Sequence, residues 1–131
     1  MILGVGTDIL DMRRLSPSSL APGDPFLRRA FTEREIAQAQ ARPHPLKYYA
    51  TRFAGKEAVF KALGTAPDWV RRGTEIEILD DCNGAPHCSL SGAAGAWAEK
   101  RGAKAVHISL SWDGELAVAC AVLEGGEEKY G

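Results

Sequence analysis

A chain of 131 residues with a formal net charge of −1 has the size of one domain and can bury a core without staples. The near-neutral balance argues against a nucleic-acid role, no apolar run reaches the ~18 residues that span a bilayer, and residues 1–8 lack the basic start of a signal peptide. Three cysteines (Cys82, Cys88 and Cys120) with no Cys-x-x-Cys argue against a disulfide framework, and Cys82, His87 and Cys88 lack the count and spacing of a zinc site, so a reducing, cytoplasmic setting is expected.

In chain order, residues 2–8 read as a strand leading into a helical turn over 11–15. Residues 16–25, with three prolines, read as a loop, and 26–30 as a short helix. Thr32-Glu33-Arg34-Glu35 is a capping box that opens a helix to about residue 41. Arg42-Pro43-His44-Pro45 ends it, and Pro45 suits the first turn of a long helix to residue 63, closed by Gly64. Residues 75–79 and 86–90 form a hairpin around Asn83-Gly84. Ser91 caps a helix to about residue 101, and 106–111 with 115–123 form a second hairpin around Asp113-Gly114. Residues 125–131 read as a frayed tail, leaving one domain over 1–124. The class is α+β, with antiparallel strands packed on one long helix.

Three patches carry candidate chemistry. Alternation puts Gly4, Gly6 and Asp8 on one face of the first strand, where two glycines allow close approach beside a carboxylate. On the long helix Phe53, Glu57, Phe60 and Lys61 share a stripe. A glutamate between phenylalanines is costly unless paired or bound to a metal, and Lys61 four residues on is an available partner. Arg52 and Lys56 form a second basic pair one face over. Two carboxylates, Asp8 and Glu57, with cations around them suit magnesium bridging a polyphosphate. Finally, His107, Ser109 and Ser111 share the polar face of a strand and can donate to phosphate oxygens. Ten Lys/Arg against six Asp/Glu in residues 1–61 make the first half basic, which suits phosphate or an acidic partner.

Taken together the patches resemble the holo-acyl carrier protein synthases. The resemblance is carried by Gly4-Val5-Gly6-Thr7-Asp8-Ile9, Phe31-Thr32-Glu33-Arg34-Glu35, and Arg52-Phe53-Ala54-Gly55-Lys56-Glu57-Ala58 followed by Lys61-Ala62-Leu63-Gly64. Ile76-Glu77-Ile78, Asn83-Gly84-Ala85-Pro86 and His107-Ile108-Ser109-Leu110-Ser111 complete it, in order, over residues 2–123. It implies the 4′-phosphopantetheinyl transferase fold and transfer of phosphopantetheine from coenzyme A to a serine of an acyl carrier protein. It implies that Asp8 and Glu57 hold magnesium, and that Asp8, Glu57 and Lys61 are catalytic. Arg52, Lys56 and Lys61 would neutralise phosphate, Gly64 would let the backbone approach the nucleotide, and His107, Ser109 and Ser111 would line the nucleotide end. It also implies a homotrimer with sites between subunits, and carrier docking at Arg14 with Arg13. The chain departs from the family at Trp112, where a second histidine is usual, at Ser16-Pro17, which shorten the docking helix, and at Gly55, which is a poor helix former. Two other functions use the same residues: a coenzyme A or nucleotide-binding module without catalysis, and a magnesium-dependent phosphohydrolase.

Overall fold

Small residues on two elements bring one long helix hard against a sheet, and this contact organises the molecule. The computed structural model describes residues 1–64 and 73–126. Strand β1 (Ile2–Asp11) ends in a 3-10 turn over Met12–Arg14, and a second such turn covers Pro17–Leu20. Helices α1 (Pro25–Ala30), α2 (Glu33–Gln40) and α3 (Pro45–Ala62) follow. Then come β2 (Ile76–Asp80), β3 (Pro86–Leu90), α4 (Gly92–Lys100), β4 (Ala103–Asp113) and β5 (Leu116–Gly125). The α+β class and the long central helix agree with the sequence reading. The last hairpin is longer than expected: β4 begins at Ala103, and β5 takes in Gly125, whose N–H bonds to the carbonyl of Met1. The expected tail therefore starts later, and residues 127–131 lie outside the described residues.

The strands form an antiparallel sheet in the order β1-β5-β4 and a separate β2-β3 hairpin. Register places Gly4, Gly6, Asp8 and Leu10 of β1 on one face with Ala117, Ala119, Ala121 and Leu123 of β5, and with Ile108, Leu110 and Trp112 of β4. Helix α3 lies on this face. It presents Ala50, Ala54, Ala58 and Ala62, spaced by four and all buried, to the alanines of β5. A Cβ on Gly4 would sit 2.0 Å from the Ala62 carbonyl oxygen, and one on Gly6 1.9 Å from that of Ala58. Gly55 is less constrained: a Cβ there would lie 2.7 Å from Cδ1 of Ile78, a side-chain end that can shift. A second cluster, with Leu27, Phe31, Tyr48 and Tyr49, packs α1 and α2 on the first half of α3.

The capping box is formed as expected, and its glutamate does more than cap. Glu35 is fully buried and accepts from the N–H of Thr32, the N–H of Ile78 and the ammonium of Lys56. One carboxylate thus ties α2, α3 and β2 together. Ser91 stands at the N-cap of α4 but makes no capping bond; Glu75 accepts from the Ala94 N–H instead. No helix among the described residues is long and apolar enough to cross a membrane.

Candidate active site

The close approach of β1 to α3 sets the site. Gly4 lies against Ala62 and Gly6 against Ala58, so strand and helix run in opposite directions. Two residues further along β1 advance about 7 Å, and one turn back along α3 about 5.4 Å, which brings Asp8 beside the turn that carries Glu57. Lys61 closes the group: its ammonium donates to the Thr7 carbonyl (2.9 Å) and to Oδ1 of Asp8 (3.1 Å). Lys61 therefore pairs with Asp8 rather than with Glu57, the partner that helical spacing alone suggested. Glu57 is half-buried and lines a cavity of about 390 Å³ with Phe26, Arg29 and Phe53. Gly64 ends α3 in the left-handed region (φ +82°), as a cap glycine should.

Among the described residues no group of three or more acidic, histidine or cysteine side chains is placed to hold a metal ion, so Asp8 and Glu57 are the carboxylates on offer at this junction. Two carboxylates with no nitrogen or sulfur donor are the set that magnesium takes when substrate phosphates and water supply its remaining ligands, so the residues fit that ion.

Lys56 does not join this group, and its expected phosphate role is corrected. An ammonium has three N–H donors. Those of Lys56 reach Oε1 of Glu35 (2.7 Å) and the carbonyls of Gly73 (2.7 Å) and Ile76 (2.5 Å), all inside the protein. Burial pushes its pKa below the ordinary lysine value, and the Glu35 carboxylate acts in the opposite direction. Arg52 is also buried, with Nη2 on Asp80 and Nη1 on the Thr51 hydroxyl, but its Nε has no partner. Its guanidinium stacks over Tyr48, whose phenol burial pushes up to about 12.

His107, Ser109 and Ser111 lie on the sheet's other face, opposite Val122, Cys120 and Val118. A single chain does not bring them to Asp8. His107 Nε2 donates to Oε1 of Glu124 at 3.0 Å, and this bond holds the Glu124 carboxyl below its usual range. The same face exposes Val5, Ile9, Leu116 and Val118. Arg13 and Arg14 follow β1. Arg13 is taken up by Asp11 and Glu115, whereas Arg14 is exposed and makes no ion pair or hydrogen bond with a described residue.

The family model described as the 4′-phosphopantetheinyl transferase superfamily matches residues 4–121. The chain belongs to this superfamily. Among curated relatives it is 40% identical over 131 residues to a holo-[acyl-carrier-protein] synthase of Desulforudis audaxviator, covering 98% of this chain and 97% of the relative. It is 39% identical to one of Geotalea daltonii, covering 95% and 99%. Among solved structures it is similar to the holo-[acyl-carrier-protein] synthase of Neisseria meningitidis (TM-score 0.83, 33% identity, 95% and 99% covered). It is also similar to that of Bacillus anthracis in complex with coenzyme A (3′,5′-ADP) (TM-score 0.77, 33% identity, 96% and 99% covered).

Within this phosphopantetheinyl transferase the sequence reading missed two groups near the site. Arg101 of the α4 C-cap donates to the carbonyls of Ala62, Leu63 and Leu3, and Trp97 donates to Leu63, locking the end of α3 to β1. A cavity of about 580 Å³ opens beside Arg52 and takes in Lys47, Tyr48, Asp80 and Trp112. Alternation after Leu110 already puts Trp112 on the inner face, but the facing Lys47 is 65 residues away in sequence.

Proposed function

We propose that this protein is a holo-[acyl-carrier-protein] synthase: it transfers 4′-phosphopantetheine from coenzyme A to a serine of apo acyl carrier protein and releases adenosine 3′,5′-bisphosphate. The observation that carries the reading is the junction of β1 and α3, where Asp8, the turn of Glu57 and the Lys61 ammonium converge. The serine oxygen forms a bond to the pantetheine-side phosphorus, and the bond from that phosphorus to the bridging oxygen of the pyrophosphate breaks. Such transfers depend on positioning and charge stabilisation. Lys61, held by Asp8 and the Thr7 carbonyl, offers a cation to the charge that develops on the leaving phosphate. Asp8 or a water it holds accepts the serine proton, with Glu57 as the alternative acceptor. Magnesium, held by Asp8 and Glu57, would polarise the pyrophosphate.

The placement of His107, Ser109 and Ser111 on the opposite face from Asp8 supports a site built between copies. A homotrimer closed over Val5, Ile9, Leu116 and Val118 would cover an apolar face that one chain leaves open. Carrier docking falls to Arg14 rather than Arg13, since Arg13 is paired within the chain. The free thiols suit a cytoplasmic enzyme.

The test is intact-mass measurement of an apo carrier protein incubated with coenzyme A, magnesium and this protein. A gain of one phosphopantetheine is expected. Release of 3′,5′-ADP without a change in carrier mass would make the protein a phosphohydrolase. Coenzyme A binding with neither product would make it a binding module.

A further inference from the structure

The end of α3 and the start of β1 leave three carbonyls that neither the helix nor the strand register takes up. Ala62 and Leu63 stand at the C-terminus of α3, where no later N–H of the helix reaches back to them. Leu3 is the residue that the β1–β5 register skips between Ile2 and Gly4. Arg101, the C-cap residue of α4, meets all three. Its Nη1 donates to Ala62 (3.2 Å) and Leu63 (2.8 Å), and its Nη2 donates to Leu3 (2.8 Å). A guanidinium holds its donors in a rigid planar fork, so the two elements it bridges are fixed in direction as well as in distance. Its charge also suits the negative end of the α3 dipole.

The bridge matters because the apolar part of the β1–α3 contact is smooth. Gly4 and Gly6 against Ala62 and Ala58 allow close approach but supply no side chain long enough to interlock strand with helix. A second polar link is Lys61, whose ammonium holds the Thr7 carbonyl and Asp8. In the proposed reaction that ammonium is shared with the leaving phosphate, so Arg101 is the link that the chemistry leaves alone. Leu3 and Asp8 are five residues apart on one strand, about 17 Å. A slide of β1 at the Arg101 end is therefore passed on to Asp8. We propose that Arg101 is a positioning residue for the transfer, its guanidinium setting the register of β1 on α3 and so the spacing of Asp8 from Glu57 and Lys61. The proposal rests on the transferase reading for its consequence. Arg101 acts through the carbonyls it binds and not by contact with a substrate.

The test compares wild type with Arg101→Ala, Arg101→Lys and, as a control, Tyr49→Phe, which loses a hydrogen bond from Gln40 in the second cluster. Nuclear Overhauser effects from the α protons of Gly4 and Gly6 to Ala58 and Ala62 report the register with no substrate present. In Arg101→Ala these should weaken or change partners, and turnover at saturating coenzyme A and carrier protein should fall about tenfold or more. The magnesium concentration for half-maximal turnover should rise several-fold, while the Michaelis constant for carrier protein stays within about twofold. Arg101→Lys keeps the charge at the end of α3 but replaces the fork with one nitrogen, and should recover stability and only part of the turnover. Tyr49→Phe should melt lower with register and turnover unchanged. An unchanged register or wild-type turnover in folded Arg101→Ala overturns the proposal. So does a loss of turnover in Tyr49→Phe as large as that in Arg101→Ala, which would reduce the effect to stability. Should Arg101→Ala not fold, Arg101→Lys decides: wild-type register and turnover there, or a register and a turnover that change independently, overturn the proposal. A wild-type protein that transfers nothing removes the transferase reading, and the Overhauser comparison then still decides whether Arg101 sets the register.

Discussion

Replacing Lys56 by methionine separates a structural ammonium from a phosphate ligand. The substitution keeps most of the side-chain volume and deletes three internal hydrogen bonds. It leaves the Glu35 carboxylate, fully buried, with only the N–H groups of Thr32 and Ile78. Breaking a buried pair from one side costs about 3–5 kcal/mol. With about 2.1 cal/mol/K of unfolding entropy per residue over this chain, each kcal/mol is worth roughly 4 °C, so the melting temperature should fall by about 10–20 °C. Circular dichroism melts measure this directly. Adding Glu35→Gln should recover a good part of the loss, because the stranded charge is then gone while Gln keeps an acceptor for one N–H. Coenzyme A affinity, measured well below the transition, should stay within about threefold of wild type. A Lys56→Met protein that melts within a few degrees of wild type but binds coenzyme A tenfold more weakly would refute this reasoning and restore Lys56 as a phosphate ligand.

Glu57→Gln should retain the fold and lower turnover about a hundredfold or more; near wild-type turnover in a correctly melting variant would remove Glu57 from the site. Arg14→Glu should raise the Michaelis constant for carrier protein and leave that for coenzyme A unchanged, and salt should weaken wild-type carrier affinity more than that of the variant. Equal disturbance of both substrates would count against a docking role. Val118→Asp puts a charge on the exposed apolar face and should give a one-chain mass in sedimentation, with transfer lost; an unchanged oligomer would place the interface elsewhere. Hydrogen bonds from Arg13 lower the Asp11 carboxyl to about 2 from its ordinary 3.8. What that pair adds to stability is therefore complete above about pH 4 and lost as pH falls through 2. An NMR titration of the Asp11 carboxyl should show the low midpoint, and Arg13→Ala should return it towards 3.8.

Much of the site was legible before the fold, because its parts sit in local patterns. The capping box at Thr32 and Glu35, Pro45 at the head of α3 and Gly64 at its end are set by backbone groups within a few residues, and all three stand where short-range chemistry puts them. Asp8 after two glycines and Glu57 on an apolar stripe were visible as candidates for the same reason. The pairing partners were not. Helical spacing offered Lys61 to Glu57, and the structure gives it to Asp8, 53 residues earlier.

Local signals place α3 between Pro45 and Gly64, mark the β4–β5 hairpin at Asp113-Gly114, and put Glu57 on a stripe with Phe53 and Phe60. They do not say which side of α3 meets the sheet. Alanines at 50, 54, 58 and 62 make that side, because only small side chains let the helix backbone come within contact of Gly4 and Gly6. Once that face is set, Lys61 turns towards Asp8, Lys56 turns inward to Glu35, and Lys47 reaches Trp112. A charged side chain carries the same local signal whether it ends in an internal pair or in an open cavity. Only the distance to a partner dozens of residues away tells the two apart, and that distance is a property of the packed helix and sheet.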